Sequence, residues 1–332
     1  MKIFLTGGTG FIGLPLTRAL LSRGWEVTVL VRKPESAEAA DIRAKGGRLV
    51  QGDVTDRESM RAGMAGADAV VHNAGWYEFG LTKKAAERMR AINVDGTRNT
   101  LGLARELGIP RIIYTSTILA LGPTGDGIAD ETFERREPPQ SAYEETKTEA
   151  HRIAVDLQKQ NTPIVIACPA GVIGPGDYSG LGMLARMYVR GFLPPMLFGA
   201  EGWRAHVHVD DCAEAIARCV EKGRTGESYI LSNGIMRHRD LFELWKTTPG
   251  GIKTTWFWMP EPMAVAFNAV AEPFERLFGL PILFSREFAR AAFVKWKFSG
   301  AKAERELGMR FRSVEQAWLD TLEAERAAVE GR

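Results

Sequence analysis

Cysteine is scarce and carries no pattern: Cys168, Cys212 and Cys219 are the three present, with no C-x-x-C pair. A disulfide framework or a cysteine-ligated metal site needs more than that. Each of the three sits in an apolar stretch, as a small buried hydrophobe does, and the expectation is a reducing, cytoplasmic compartment. Long hydrophobic runs are missing too. None approaches the roughly twenty residues that span a bilayer, so no integral membrane segment is expected. Met1 leads straight into a strand pattern without a charged leader or small-residue cleavage site, so no secretory signal is expected either. Charge of one sign is lacking, with 43 lysines and arginines against 41 acidic residues for a formal charge of +2. Without a basic block of five or more, nothing suggests nucleic acid as a partner, and small molecules fit better. His72, His206 and His208 stand at or beside strand ends without metal-ligand spacing, so they read as structural and no metal site is expected.

What is present begins at the N-terminus. A short apolar run, Lys2–Leu5, is followed by Thr6-Gly7-Gly8-Thr9-Gly10-Phe11-Ile12-Gly13 and then by a helical pattern through Leu14, Leu16, Ala19, Leu20 and Leu21. A buried strand that breaks into glycines and reopens as a helix points backbone N–H groups and a positive dipole end at one place, where a pyrophosphate can sit. The spacing is G-x-x-G-x-x-G. Gly7 suits the tight turn, Gly10 the close approach of phosphate, and Gly13 the packing of helix on strand.

Strand-like runs at Ile3–Leu5, Val27–Val31, Leu49–Gln51, Ala69–His72, Arg111–Thr115 and Ile164–Cys168 alternate with helical patterns at Leu14–Arg23, Met60–Ala65, Lys84–Leu107 and Thr146–Gln160. Such alternation predicts an α/β fold, the Rossmann doubly wound parallel sheet. After Cys168 glycines and prolines break the period around a short helix near Leu184–Val189, and core-like patterns return at His206–Val209, Asp211–Lys222 and Ser228–Leu231. The expected division is a dinucleotide-binding domain over 1–170 plus about 205–232, with an interleaved substrate-binding cap over 171–204 and 233–332. The stretch from Trp256 to Phe293 holds many large apolar residues, among them Phe257, Trp258, Phe267, Phe274, Phe278, Phe284 and Phe288. It reads as a helical core or dimer face, or else as a lid over a greasy substrate or a membrane-surface contact.

Tyr143 and Lys147 stand four positions apart at a helix start, so both project to one face. An ammonium there favours the phenolate and lowers the tyrosine's pKa, making it a usable acid or base. Tyr114-Thr115-Ser116-Thr117 supplies hydroxyls at the end of a strand. With the glycine turn, these residues resemble the extended short-chain dehydrogenase/reductase superfamily, the NAD-dependent epimerase/dehydratase family. Further blocks match in order: Gly52-Asp53-Val54-Thr55-Asp56, His72-Asn73-Ala74-Gly75, Asn93-Val94-Asp95-Gly96-Thr97, Pro169 through Asp177, and His208-Val209-Asp210-Asp211.

The resemblance implies Thr117 as the catalytic hydroxyl, with Ser116 as second choice, beside Tyr143 and Lys147. It implies a cofactor set of Gly7, Thr9, Gly10, Phe11, Ile12 and Gly13 at the turn, and Asp53 and Val54 at the adenine. Asn73, Ala74, Gly75, Thr115, Tyr143, Lys147, Pro169, Gly171 and Val172 complete it. NAD enzymes place a carboxylate at the end of the second strand. Here Val31-Arg32-Lys33 offers two cations, which favours NADP over NAD. The sugar dehydratases of the family carry an Asp-Glu pair after the catalytic hydroxyl, where this chain has Ile118 and Leu119. Cys168-Pro169 replaces a common Arg-Pro. Arg204 reads either as the diphosphate-holding arginine of the nucleotide-sugar enzymes or as a surface residue.

The leading expectation is an NADP-dependent carbonyl reductase, or alcohol dehydrogenase in reverse, similar to dihydroflavonol reductases and hydroxysteroid dehydrogenases and acting on a small or hydrophobic ketone or aldehyde. A nucleotide-sugar epimerase with tightly bound NAD and a non-catalytic NADP-binding regulator are the alternatives. The superfamily often forms homodimers through a helix pair, here Lys84–Leu107 and Thr146–Gln160.

Overall fold

The computed structural model describes residues 1–78, 82–248, 257–278 and 285–331. The first six strands are β1 (Lys2–Thr6), β2 (Glu26–Val31), β3 (Arg48–Gln51), β4 (Ala69–His72), β5 (Ile112–Thr115) and β6 (Ile164–Pro169). After them come β7 (Gly171–Ile173), β8 (Met196–Phe198), β9 (Trp203–His208), β10 (Ser228–Leu231), β11 (Gly234–Arg237), β12 (Phe257–Met259) and β13 (Lys295–Trp296). Seven build one sheet in the order β3-β2-β1-β4-β5-β6-β10, and every pairing in it is parallel. This is the Rossmann arrangement that the strand-helix alternation implies.

Helices cover both faces, so the central strands are apolar without alternation: every residue of β4, β5 and β6 is buried. The strand order reverses between β1 and β4, and a ligand crevice belongs at that switch point, outside the carboxyl ends. Helix Gly13–Leu21 returns from β1 to pack on helix Val209–Lys222. Arg23 clamps that contact through Glu214 at 2.8 Å and Glu221 at 3.0 Å.

Two helical patterns differ from expectation. The stretch read as one helix over Lys84–Leu107 is three pieces: Lys83–Arg90, a π-helical turn over Ala91–Asp95, and Gly96–Glu106. The extra residue serves Asn93. Its amide donates to Trp76 O at 3.0 Å and Thr146 Oγ1 at 3.1 Å, and its oxygen accepts from Trp76 N at 2.7 Å. A helix bulged to aim a side chain commonly marks a functional place. The pattern read from Thr146 begins at Ala142 and runs to Lys159, because Ser141 Oγ accepts from Glu144 N at 3.0 Å and Glu144 and Glu145 favour the dipole. Tyr143 thus lies in the first turn.

A four-stranded sheet holds β11-β9-β13 with β7 beside β9, and β8 pairs with β12. Thus β9 belongs to the smaller sheet, while β10 closes the edge of the large one. Tyr188, Leu241, Trp245 and Trp318 form a second apolar core there. Helices Glu261–Phe278 and Arg286–Phe293 pack on each other. The first keeps Met263, Phe267 and Val270 exposed while Ala264 and Asn268 are buried. Expectations for Trp256 and Phe284 lie outside the described residues. The three cysteines are free and fully buried. No described helix is long and apolar enough to cross a membrane, and no described group of three histidine, cysteine or carboxylate side chains could hold a metal ion.

Candidate active site

At the end of β1 the chain turns through Gly7 with φ +72°, a left-handed backbone that costs glycine nothing. A Cβ there would lie 2.7 Å from the backbone of Ala74. One at Gly13 would lie 1.9 Å from Gly7 O, so the turn, the helix start and the end of β4 touch backbone to backbone. Gly10 is roomier, its nearest neighbour for a Cβ being Gly7 O at 3.4 Å. Helix Gly13–Leu21 has no side-chain cap and no acid in its first turn. Leu14 N and Leu16 N are held by Gly10 O and Ile12 O and Pro15 has no N–H, so it is the positive end of the helix that is left for an anion.

The turn opens into a cleft of about 590 Å³ at the switch point. Thr9, Gly10, Phe11 and Ile12 line it at the helix start, and Arg32, Asp53 and Val54 at the ends of β2 and β3. Asn73, Ala74 and Gly75 follow β4; Thr115, Ser116 and Thr117 follow β5; Pro169, Gly171 and Val172 leave β6. Tyr143 and Lys147 face them from helix Ala142–Lys159. Two residues of the expected cofactor set do not line the cleft. Gly13 lies behind the turn, where its contact with Gly7 sets the backbone. Lys33 is exposed beyond it, one residue past Arg32, so of the two expected cations Arg32 alone reaches the cleft.

The hydroxyl cluster has a definite order. Thr117 caps the short helix Ile118–Leu121, its Oγ1 accepting from Leu119 N at 3.3 Å, and it lines the cleft together with Tyr143. Ser116 is engaged elsewhere, its Oγ 2.9 Å from His151 Nδ1. Lys147 is buried and donates to Thr115 O at 3.0 Å and to Tyr114 Oη at 3.4 Å. Burial pushes its ammonium down to about 8. The expectation that Lys147 lowers the Tyr143 phenol is not met. Burial, reinforced by the phenols of Tyr77, Tyr178 and Tyr114, holds Tyr143 well above its ordinary value, with the Thr117 hydrogen bond pulling the other way. The ammonium is spent on Thr115 and Tyr114, and Tyr143 keeps its proton at neutral pH.

The histidines do structural work. Ala74 N donates to Thr6 Oγ1, which lies 2.8 Å from His72 Nδ1, while His72 Nε2 lies 3.0 Å from Thr97 Oγ1. Thr97 in turn donates to Asn93 O at 2.6 Å. That leaves Thr97 oxygen as acceptor and His72 as the neutral Nε2–H form, which burial and then Lys147 enforce by lowering its pKa to about 3. His208 Nδ1 accepts from Asp210 N at 3.2 Å, capping the next helix. His206 is buried against Trp318.

Several lining residues escaped the sequence reading. Trp76, Tyr77 and Arg88 come from the segment after β4, and Leu184, Met187, Leu197 and Phe242 from the smaller unit. No short-range pattern reveals those. His151 had a signal, since Tyr143, Lys147 and His151 repeat at i, i+4 and i+8 on one helix face. Arg135 and Glu144 form a buried pair at 3.2 Å beside Tyr143. Arg204 is no surface residue: it lines the cleft, and its Nε is shut off from solvent without a hydrogen-bond partner. Ile118 and Leu119 are buried and transfer no proton.

Comparison with known proteins gives the family and the fold. A Synechocystis sp. protein named "Putative dihydroflavonol 4-reductase" is 30% identical over 96% of this chain and 93% of its own length. The 4-hydroxy-2-methyl-3-oxo-4-farnesyl-3,4-dihydroquinoline-1-oxide ketoreductase of Stigmatella aurantiaca is 29% identical over all of this chain and 98% of its own. The crystal structure of the dTDP-glucose 4,6-dehydratase DesIV from Streptomyces venezuelae, with NAD bound, shares the fold at a TM-score of 0.79. It is 23% identical and covers all of this chain and 98% of its own. The sequence model of the NAD dependent epimerase/dehydratase family matches residues 3–232, and the chain belongs to that family.

Proposed function

We propose that this member of the family is an NADP-dependent carbonyl reductase, working in the direction of ketone or aldehyde reduction on a hydrophobic substrate. At the coarser level it is an NAD(P)-dependent oxidoreductase of the extended short-chain dehydrogenase/reductase type, acting on small molecules. The observation that carries the finer reading is the meeting of Tyr143, Thr117 and Lys147 in the cleft that the glycine turn opens.

The residues present fit a nicotinamide dinucleotide. Gly7 and Gly13 leave no room for a side chain while Gly10 does, the leading helix end is uncapped, and two buried polar atoms on the cleft wall, Asn73 Oδ1 and Thr115 Oγ1, lack hydrogen-bond partners. When bound, the dinucleotide supplies the hydride. The turn would hold the pyrophosphate, Asp53 and Val54 the adenine end, and Arg32 a 2′-phosphate. Tyr143 donates its proton to the carbonyl oxygen and Thr117 hydrogen-bonds that oxygen. Lys147, fixed by Thr115 and Tyr114, holds positive charge near the phenol as it gives up its proton. In this reading the large-sheet unit holds the dinucleotide and residues 171–204 and 233–332 supply the cap over the substrate.

A nucleotide-sugar epimerase is favoured by one observation, Arg204 in the cleft. The apolar residues around it and the free Arg32 at the end of β2 support the reductase. Ligand-induced thermal shifts test the choice, since a ligand stabilises the folded state by mass action. NADPH should shift the melting temperature further than NADH at equal concentration, and Arg32→Ser should remove the difference. A larger shift with NADH and a UDP-sugar, with no NADPH oxidation on hydrophobic ketones, would overturn the proposal.

A further inference from the structure

Arg204 enters the cleft from β9 with its stem along Gly171, where a Cβ would lie 3.3 Å from its Cδ. Its surroundings offer little to a half-buried cation. Nε has no hydrogen-bond partner, and no described carboxylate lies within ion-pair distance of the guanidinium. Glu144, the nearest acid to influence it, is already taken by Arg135 at 3.2 Å and by Gln140 N at 3.3 Å. A half-buried guanidinium whose Nε is shut off from water without a partner or counter-charge is costly, and such costs persist where an incoming ligand removes them. The wall beyond is largely apolar: Leu181, Leu184, Met187, Leu197 and Phe242 line the same cleft, and the Asp177 carboxylate there is taken up by Ser179 N and Oγ. Tyr77, the phenol that acts on Arg204 most strongly, sets its ring edge-on to Tyr143 with centroids 4.7 Å apart. Arg204, Tyr77 and the proton donor Tyr143 thus line one and the same cleft.

We infer that the substrate is an oxo acid, a ketone on a hydrophobic body whose carboxylate, a few carbons from the carbonyl, is held by Arg204. The inference rests on the reductase reading and names its substrate class. One planar fork matches one carboxylate in a bidentate pair. A sugar diphosphate asks instead for several donors to its hydroxyls and phosphates, which the leucine and methionine wall does not supply. In the reaction hydride adds to the ketone carbon, the carbonyl π pair takes the Tyr143 proton on oxygen, and the nicotinamide is oxidised. The carboxylate is unchanged, so the product is the hydroxy acid.

The test compares kcat/KM at saturating NADPH for 3-oxooctanoate, its methyl ester and 2-heptanone, in wild type, Arg204→Met and Arg204→Lys. The acid should exceed the ester by about 10- to 100-fold in wild type, the range of a charge-assisted pair, and chiefly through KM. Arg204→Met should bring that ratio to about twofold or less. Arg204→Lys keeps charge without the fork, should leave an intermediate ratio, and carries the test if the methionine variant does not fold. Folding is read from the NADPH-induced thermal shift. Equal rates for acid and ester in wild type, or an unchanged ratio in either variant, would overturn the substrate class while leaving a reductase. UDP-glucose binding that Arg204→Met abolishes would assign the arginine to a diphosphate and overturn it too. No turnover of any of the three compounds would instead bring down the reductase reading itself.

Discussion

Lys147 shows at the scale of one residue how burial and function compete. Its ordinary pKa of 10.5 falls to about 8 in the fold, first through burial. Between those values the unfolded chain binds more protons than the folded one, so this group makes stability rise with pH from about 8 to 10.5. Below about 8 its penalty is constant. Lys147→Met should therefore raise the melting temperature of the unliganded protein, with a gain at neutral pH on the order of 3 kcal/mol. The gain should fade as pH climbs through 8 toward 10.5, while turnover is lost. A gain that does not change with pH would show that the ammonium is not desolvated there. Tyr143 and Lys147 were legible in the sequence because helical spacing is local information. Their partners were not: Tyr114 is 33 residues from Lys147, and Ser116 is 35 from His151. Only the packing of β5 against helix Ala142–Lys159 brings them together, and that packing also gives the ammonium its partners, Thr115 O and Tyr114 Oη.

The β1 turn and its helix separate two jobs that a glycine can have within one element. A methyl group at Gly13 meets Gly7 O at 1.9 Å, and backbone cannot swing aside as a side chain can. Gly13→Ala should destabilise by about 1–3 kcal/mol, as overpacking does, and weaken NADPH binding. Gly10 lets a methyl stand at 3.4 Å. Gly10→Ala should melt within about 2 °C of wild type, since a surface change away from special features costs under about 0.5 kcal/mol. Its NADPH dissociation constant should nevertheless rise at least tenfold, because the methyl occupies the space a phosphate needs. Equal melting losses in the two variants would contradict this division, which calorimetry and a binding titration measure. Elements such as this turn are readable since strand, glycines and helix follow in sequence. The π turn at Ala91–Asp95 was not, because the polar and apolar pattern runs through it and its cause, Asn93 reaching Trp76 and Thr146, is tertiary. Helix Ala37–Ala44 escaped because it buries only Ala39 and Ile42.

For the whole molecule, alternating strands and helices announced a parallel sheet and a crevice but not which walls close it. The smaller sheet draws β7, β9, β11 and β13 from four separated segments. No local period records such pairing, so the apolar wall and Arg204 came into view only with the fold. Of these strands β7 and β9 reach the cleft that Tyr143 lines. The most direct measurement is turnover of a hydrophobic ketone by Tyr143→Phe, alongside the variant's NADPH affinity. Removing the phenolic proton donor should cost about 10²- to 10⁴-fold in kcat and leave the NADPH dissociation constant within about threefold of wild type. Turnover close to wild type with NADPH bound would contradict the account.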